Sequence, residues 1–403
     1  MTLGIDATRL VPLDDPAFYL DEAHSAAMFR WMRREAPVYW FAPRGFWALS
    51  RHADVQYVSR SPDLFCSSRH LAMPTPGQGD ASHVEGIPPS IIQMDPPDHT
   101  RHRRLVNQAF TPRVVRRLET RMREIAVDSV ERLPRGEIVD FVEAVAVPLP
   151  LQVIAELLGV PDGDLDRFRR WSDALIVQAG AESDPDEAAP MVAELFGYFA
   201  ERLAERRATP REDLLSELAS VEAEGERLDD LEILVFCMTL LVAGNETTRT
   251  LVAQGTRLLL EHPEQLSLVR AGAVPLPDAI EEMVRMAPPI RSFFRTATVD
   301  TDVAGHRIAA GDPVMLLYAA ANRDESIWGD DADRFDVRRP PLPHLSFGFG
   351  QHFCLGANLA RQEARVLFEE LFARRPEIEL AGAIEPMRST FAAGIEHMPV
   401  VFG

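Results

Sequence analysis

Between Asp166 and Leu260 apolar residues return every three or four positions, through "DRFRRWSDALIVQ", "AAPMVAELFGYFAERLAERR" and "REDLLSELASVE". That spacing gathers them on one face of an α-helix. The stretch "LDDLEILVFCMTLLVAGNETTRTLVAQGTRLLLEH" extends the pattern, predicting a helix of roughly thirty residues, longer than a typical globular helix. Strand-like signals cluster at Val38 to Trp47 and Thr296 to Met315, with hairpin turns predicted at Gly305 and Gly311. From Asn322 to Ser346 the chain is rich in Pro, Asp and Arg with little periodicity and reads as a long ordered loop. "CLGANLARQEARVLFEELFARR" then predicts an amphipathic helix starting at or near Cys354. The pattern is mainly α with smaller β-sheets. A length of 403 residues is compatible with about two or three domains, but no linker or repeat marks a second folding unit. Residues 1–403 are therefore read as a single domain.

Composition narrows the class. Apolar residues are 46% of the chain and charged residues 26%, ordinary for a soluble globular protein. The three cysteines, Cys66, Cys237 and Cys354, lie far apart, which speaks against a disulfide scaffold and for a reducing compartment. The start "MTLGIDATRLVPLDD" has no basic or apolar run, so no secretory signal is visible. The best membrane candidate, Ile233 to Gly244, has about twelve residues where a span needs about twenty, and reads as a buried helix. A cytoplasmic protein off the membrane is expected.

The net charge of −20 makes nucleic acid a poor partner. Charge is uneven, however. Arg101, Arg103, Arg104, Arg113, Arg116, Arg117 and Arg121 crowd one stretch with few acids among them. They are either a solvated helix face or a basic docking patch for an acidic partner.

Candidate chemistry centres on "FGFGQHFCLG". Cys354 stands where a glycine-rich loop meets a helix. Amides at a helix start favour a thiolate, and Gly348 and Gly350 allow unusual backbone angles and close approach of a flat object. Taken alone, Cys354 is as well read as a small buried hydrophobe. In "AGNETT", Ala243 to Thr248, poor interior helix formers cluster inside the long helix. They predict either a tolerated flaw or a functional local distortion, where a hydroxyl or water replaces a backbone bond. In "EEMVR", Glu282 and Arg285 lie three apart and share a helix face.

The pattern Phe347, Gly350, Cys354, Gly356 resembles the haem-ligand loop of the cytochrome P-450 family. The resemblance runs from about Trp31 to Val401 with the landmarks in family order. It implies the cytochrome P-450 fold, with haem between the long central helix and the helix after the Cys loop. Cys354 is then the axial thiolate of haem b, with Phe347, Gly350, Gly356 and Ala243 around the cofactor. Thr247 would handle dioxygen and its waters, and Glu246 would relay protons. His99, Arg103, Arg295 and His352 match positions that hold the propionates, where buried carboxylates need cationic or hydrogen-bonding partners. Glu282, Arg285 and Arg338 match a buried structural network. Ala332 replaces a frequent proline, which bears on loop stiffness and not chemistry.

The implied activity is monooxygenation: one oxygen atom of O2 enters a hydrophobic substrate. Electrons would come from NAD(P)H through a ferredoxin reductase and a ferredoxin, since the chain is too short to carry a fused redox domain. Family substrate walls fall on Ile87, Ile91, Ile92, Leu175, Ile176, Leu240, Val242, Phe293, Phe294 and Phe391, an apolar set suited to a steroid, terpenoid or fatty-acyl molecule. Core packing explains each of these residues equally well. A peroxide-driven haem peroxygenase and a non-catalytic haem-bearing ligand binder stay open. The Glu246–Thr247 pair counts against the peroxygenase.

Overall fold

A computed structural model of the chain describes residues 10–74, 86–109, 112–179 and 185–403. They form two compact units. One holds the described residues of 1–82 with Asp278–Cys354 and Pro386–Ala393, and the other those of 83–277 with Leu355–Glu385 and Gly394–Gly403.

The first unit is built on a five-stranded sheet in the order Val38–Phe41, Phe46–Leu49, Pro313–Leu317, Ser292–Ala297, Phe65–Cys66. Only the pairing of Phe46–Leu49 with Pro313–Leu317 is parallel. Alternate residues of a strand point to opposite faces, and each face has its own core. Phe41, Phe46, Phe294 and Met315 pack with Phe18, Phe29 and Met32. Leu49, Val314 and Leu316 pack with Val55, Phe65, Tyr318 and Leu345. The expected turn at Gly305 closes the hairpin Thr301–Val303 with His306–Ile308. Gly311 makes the next turn, where its N–H donates to the Ala297 carbonyl at 2.8 Å. The long stretch from Asn322 is irregular apart from the short helix Glu325–Trp328.

That irregular stretch is held from behind by a buried ion pair. Glu282 and Arg285 lie on the helix Leu276–Met286, and both side chains are 2% exposed. Arg285 Nε and Nη2 donate to the two Glu282 oxygens at 2.7 and 2.8 Å. Its Nη1 donates to the Asn322 and Ala332 carbonyls at 2.9 and 2.7 Å, and Nη2 reaches the Arg334 carbonyl at 3.2 Å. The Asp336 N–H donates to Glu282 Oε1 at 3.0 Å. The expected third member, Arg338, is not part of this network. Its exposed side chain pairs with Asp336 at 2.9 Å. Arg339 takes the place instead. It lies 3.5 Å from Glu282 and donates to the Trp328 and Asp331 carbonyls at 3.0 and 3.1 Å. The cause is Asp336, whose backbone is fixed by Glu282 while its carboxylate draws Arg338 outward.

The second unit is helical around Asp230–Glu261, a helix of 32 residues. Asp229 and Glu232 form a capping box at its start, with bonds of 2.8 and 2.9 Å. By length and composition alone this helix is apolar enough to cross a bilayer, but half of that apolar window is buried inside the protein, as in a core helix. It packs on Pro148–Leu158, Leu165–Ala179, Pro185–Ala208 and Ala357–Arg374. A three-stranded antiparallel sheet, Ile138–Asp140, Pro399–Phe402, Ile378–Leu380, completes the unit.

The distortion expected at "AGNETT" does not break this helix, which runs as α throughout. Gly244 answers to packing: a Cβ there would lie 2.6 Å from Ile154 Cδ1. Asn245 Nδ2 donates to Ser172 Oγ on the Leu165–Ala179 helix at 2.6 Å. The weak helix formers thus serve neighbouring helices, whose contacts override intrinsic propensity.

Removing one partner of a buried ion pair strands the other. Arg285→Ala should therefore lower the unfolding free energy by roughly 3–5 kcal/mol, read as a reduced urea midpoint. Arg339→Ala should also lower the midpoint, and Arg338→Ala should leave it unchanged. Equal losses for Arg338→Ala and Arg339→Ala would show that the third member is misplaced here.

Candidate functional site

In the first unit the Cys loop is shaped by its own backbone. The Gly348 N–H donates to the Leu345 carbonyl at 2.9 Å, Phe353 N–H to Gly350 at 3.1 Å and Cys354 N–H to Phe347 at 2.8 Å. Gly350 has φ +71°, and a Cβ there would sit 2.3 Å from the Ser59 carbonyl oxygen. Both the left-handed angle and the close approach demand glycine. The loop ends with Phe353 and Cys354 exposed. Cys66 and Cys237 are buried instead, and burial pushes the Cys237 thiol up to about 12. A thiolate ligand needs an accessible, ionisable sulfur, and of the three cysteines only Cys354 is exposed.

The helix after the loop begins at Ala357, three positions later than Cys354. Gly356 caps it, and a Cβ at Gly356 would meet nothing within 4 Å. Glycine suits a helix N-cap, and the open space beside it leaves room for a flat group.

Also in the first unit, Arg295 is buried on the strand Ser292–Ala297 and donates from Nη1 to the Phe294 carbonyl at 2.7 Å. His352 Nε2 lies 3.0 Å from Ser67 Oγ. Phe293 and Phe391 meet edge to face at 5.4 Å. Phe294, expected as a substrate wall, points the other way into the core, edge-on to Phe46 at 5.1 Å. Strand parity separates the two neighbours. Ser67 was missed by sequence reasoning, because nothing in "CSSRH" announces a partner 285 residues away.

In the second unit, Leu240, Ala243 and Thr247 follow at spacings of three and four and share one face of the long helix. Ala243 is exposed and the other two are only partly buried, so this face is less covered than the buried face that carries Asn245, Glu246 and Thr248. Thr247 Oγ1 donates to the Ala243 carbonyl at 2.6 Å. Glu246 is buried, pairs with Arg249 at 2.5 Å and accepts from Thr250 Oγ1 at 3.3 Å. His99 and Arg103, four apart on the helix Asp98–Ala109, are buried and partly buried. Leu175 and Ile91 are buried, Ile92 and Val242 partly so, and Ile87 is exposed. The Ile176 side chain lies outside the described residues.

The expected basic patch is largely neutralised where it is described. Arg101 pairs with Glu232 at 2.6 Å, Arg104 with Glu224 and Glu226 at 2.6 Å each, and Arg121 with Glu124 at 3.4 Å. The side chains of Arg113, Arg116 and Arg117 lie outside the described residues.

Among the described residues no cluster of three or more His, Cys, Asp or Glu could hold a bare metal ion. A lone exposed cysteine suits an iron that brings four porphyrin nitrogens of its own. With Arg295 and His352 in the same unit as that cysteine, the residues there fit haem.

Comparison with known proteins agrees. The family described as "Cytochrome P450" matches residues 275–375. The chain is 38% identical to "Cytochrome P450 109" of Bacillus spizizenii, over 97% of this chain and 95% of that protein. It is 39% identical to a "Steroid C26-monooxygenase" of Mycolicibacterium smegmatis, over 97% and 96%. A solved cytochrome P450 structure from Chondromyces apiculatus superposes with a TM-score of 0.87 at 39% identity, covering 97% of each chain. The fold and the cysteine loop define a haem-thiolate protein. The chain belongs to the cytochrome P450 family and is a monooxygenase of that family.

The two glycines should behave differently. Gly350→Ala meets both a strained φ and the Ser59 carbonyl, and should lose about 1–3 kcal/mol of stability. Gly356→Ala should change apoprotein stability far less. Urea unfolding of both apoproteins, with haem content by pyridine haemochrome, checks this. Equal destabilisation by the two would contradict the loop geometry.

Proposed function

We propose that the chain hydroxylates a hydrophobic small molecule, of steroid, terpenoid or fatty-acyl type, with electrons from a separate ferredoxin and its NAD(P)H-dependent reductase. The observation that carries this reading is the exposed Cys354 thiol at the end of a glycine-pinned loop. Haem b, when bound, would supply the dioxygen-activating iron, and Cys354 would be its thiolate ligand. His99, Arg103, Arg295 and His352 would hold the propionates, and Gly356 would leave room for the ring.

Thr247 and Glu246 divide the proton work. As found, the Thr247 hydroxyl gives its hydrogen to the Ala243 carbonyl, so its lone pairs are available to accept from a water on the less covered face. Glu246 is engaged by Arg249. Its carboxylate exchanges that partner for water before it passes a proton inward. Of the expected substrate walls, Phe293 and Phe391 meet within the first unit, and Phe294 belongs to its core. The name of the steroid-oxidising relative supports an apolar substrate. Residues 1–403 act as one cytoplasmic haem domain.

Cys354→Ala should lack the long-wavelength Soret band of the reduced carbonyl complex, and a normal band in that variant would remove the ligand assignment. Thr247→Ala should keep haem yet divert electrons to peroxide. NADPH consumed, product formed and peroxide released are measured together, and unchanged coupling would refute the role given to Thr247.

A further inference from the structure

We propose that Ser67 is a positioning residue for the cofactor, acting through His352. This deepens the haem-thiolate reading above and rests on it. The strand Phe65–Cys66 pairs antiparallel with Ser292–Ala297, with Cys66 opposite Thr296. Ser67 follows directly on that strand, whose partner strand also carries Arg295. Ser67 is 1% exposed, and its Oγ lies 3.0 Å from His352 Nε2. The next residues are tied to the same strand. His70 Nδ1 lies 2.9 Å from Thr296 Oγ1, and the Phe294 N–H donates to the Leu71 carbonyl at 3.0 Å. Ser67 thus ties the end of the Phe65–Cys66 strand to His352 of the Cys loop.

The chemistry follows from the histidine's two nitrogens. With the Ser67 hydroxyl donating to Nε2, the ring proton resides on Nδ1. Nδ1–H is then the group offered to a propionate, and the ring's orientation is fixed by a hydroxyl that is itself buried. Groups that orient a cofactor's direct partners contribute to affinity nearly as the partners do. Losing this one leaves the propionate charge less compensated, which stabilises ferric iron and lowers the reduction potential.

The test compares holoenzymes. Ser67→Ala should transfer hemin to excess apomyoglobin roughly tenfold faster than wild type, and its midpoint potential should fall. Its reduced carbonyl Soret band should stay in place, because Cys354 is intact. Ser67→Thr, which keeps the hydroxyl, should restore both values. In a His352→Ala background, adding Ser67→Ala should change neither further. Should Ser67→Ala not fold, the near-isosteric Ser67→Cys, a weaker donor, carries the comparison in the same direction. Wild-type hemin transfer and potential in the Ser67 variant, or a full additional effect in the His352→Ala background, overturns the assignment alone. A wild-type protein without the long-wavelength band overturns the haem-thiolate reading and this assignment with it.

Discussion

The Glu282–Arg285 pair is the interaction on which the long irregular segment before the Cys loop depends. A chain that runs from Asn322 toward Cys354 with little regular structure leaves its carbonyls without ladder partners, and unpaired buried carbonyls are costly. One guanidinium meets three of them, at Asn322, Ala332 and Arg334, while its counter-ion fixes the Asp336 amide. A buried ion pair is weak evidence for stability by itself. Here its worth lies in the backbone groups it satisfies.

The site residues follow from element geometry. Strand alternation sets Phe293 against Phe294, so one ring meets Phe391 and the other fills the core. Helical spacing lines up Leu240, Ala243 and Thr247 and turns Glu246 away toward Arg249. The same two periods, about 2.0 and 3.6 residues, account for both halves of the assignment.

Much of this was legible in the chain. The long helix, the hairpin at Gly305 and the loop around Cys354 follow from spacing and turn chemistry that act locally. What escaped depends on distant partners. Arg338 and Arg339 are identical neighbours, and Asp336, through its amide to Glu282 and its carboxylate to Arg338, decides which one turns inward. Glu224, Glu226 and Glu232 neutralise arginines more than a hundred positions earlier. Gly244 looked like a helix flaw because Ile154 cannot be seen from the helix itself. The helix after Cys354 starts late because the loop's bond from Cys354 to Phe347 holds the residue outside it.

Arg285 reads main-chain oxygens, and every amino acid offers the same one. Ala332 has only a methyl side chain, yet its carbonyl accepts as any residue's would. The staple is therefore blind to side-chain identity at the positions whose carbonyls it holds. Arg334, whose side chain is exposed, can be exchanged and the surface of the segment altered while its carbonyl keeps the same partner.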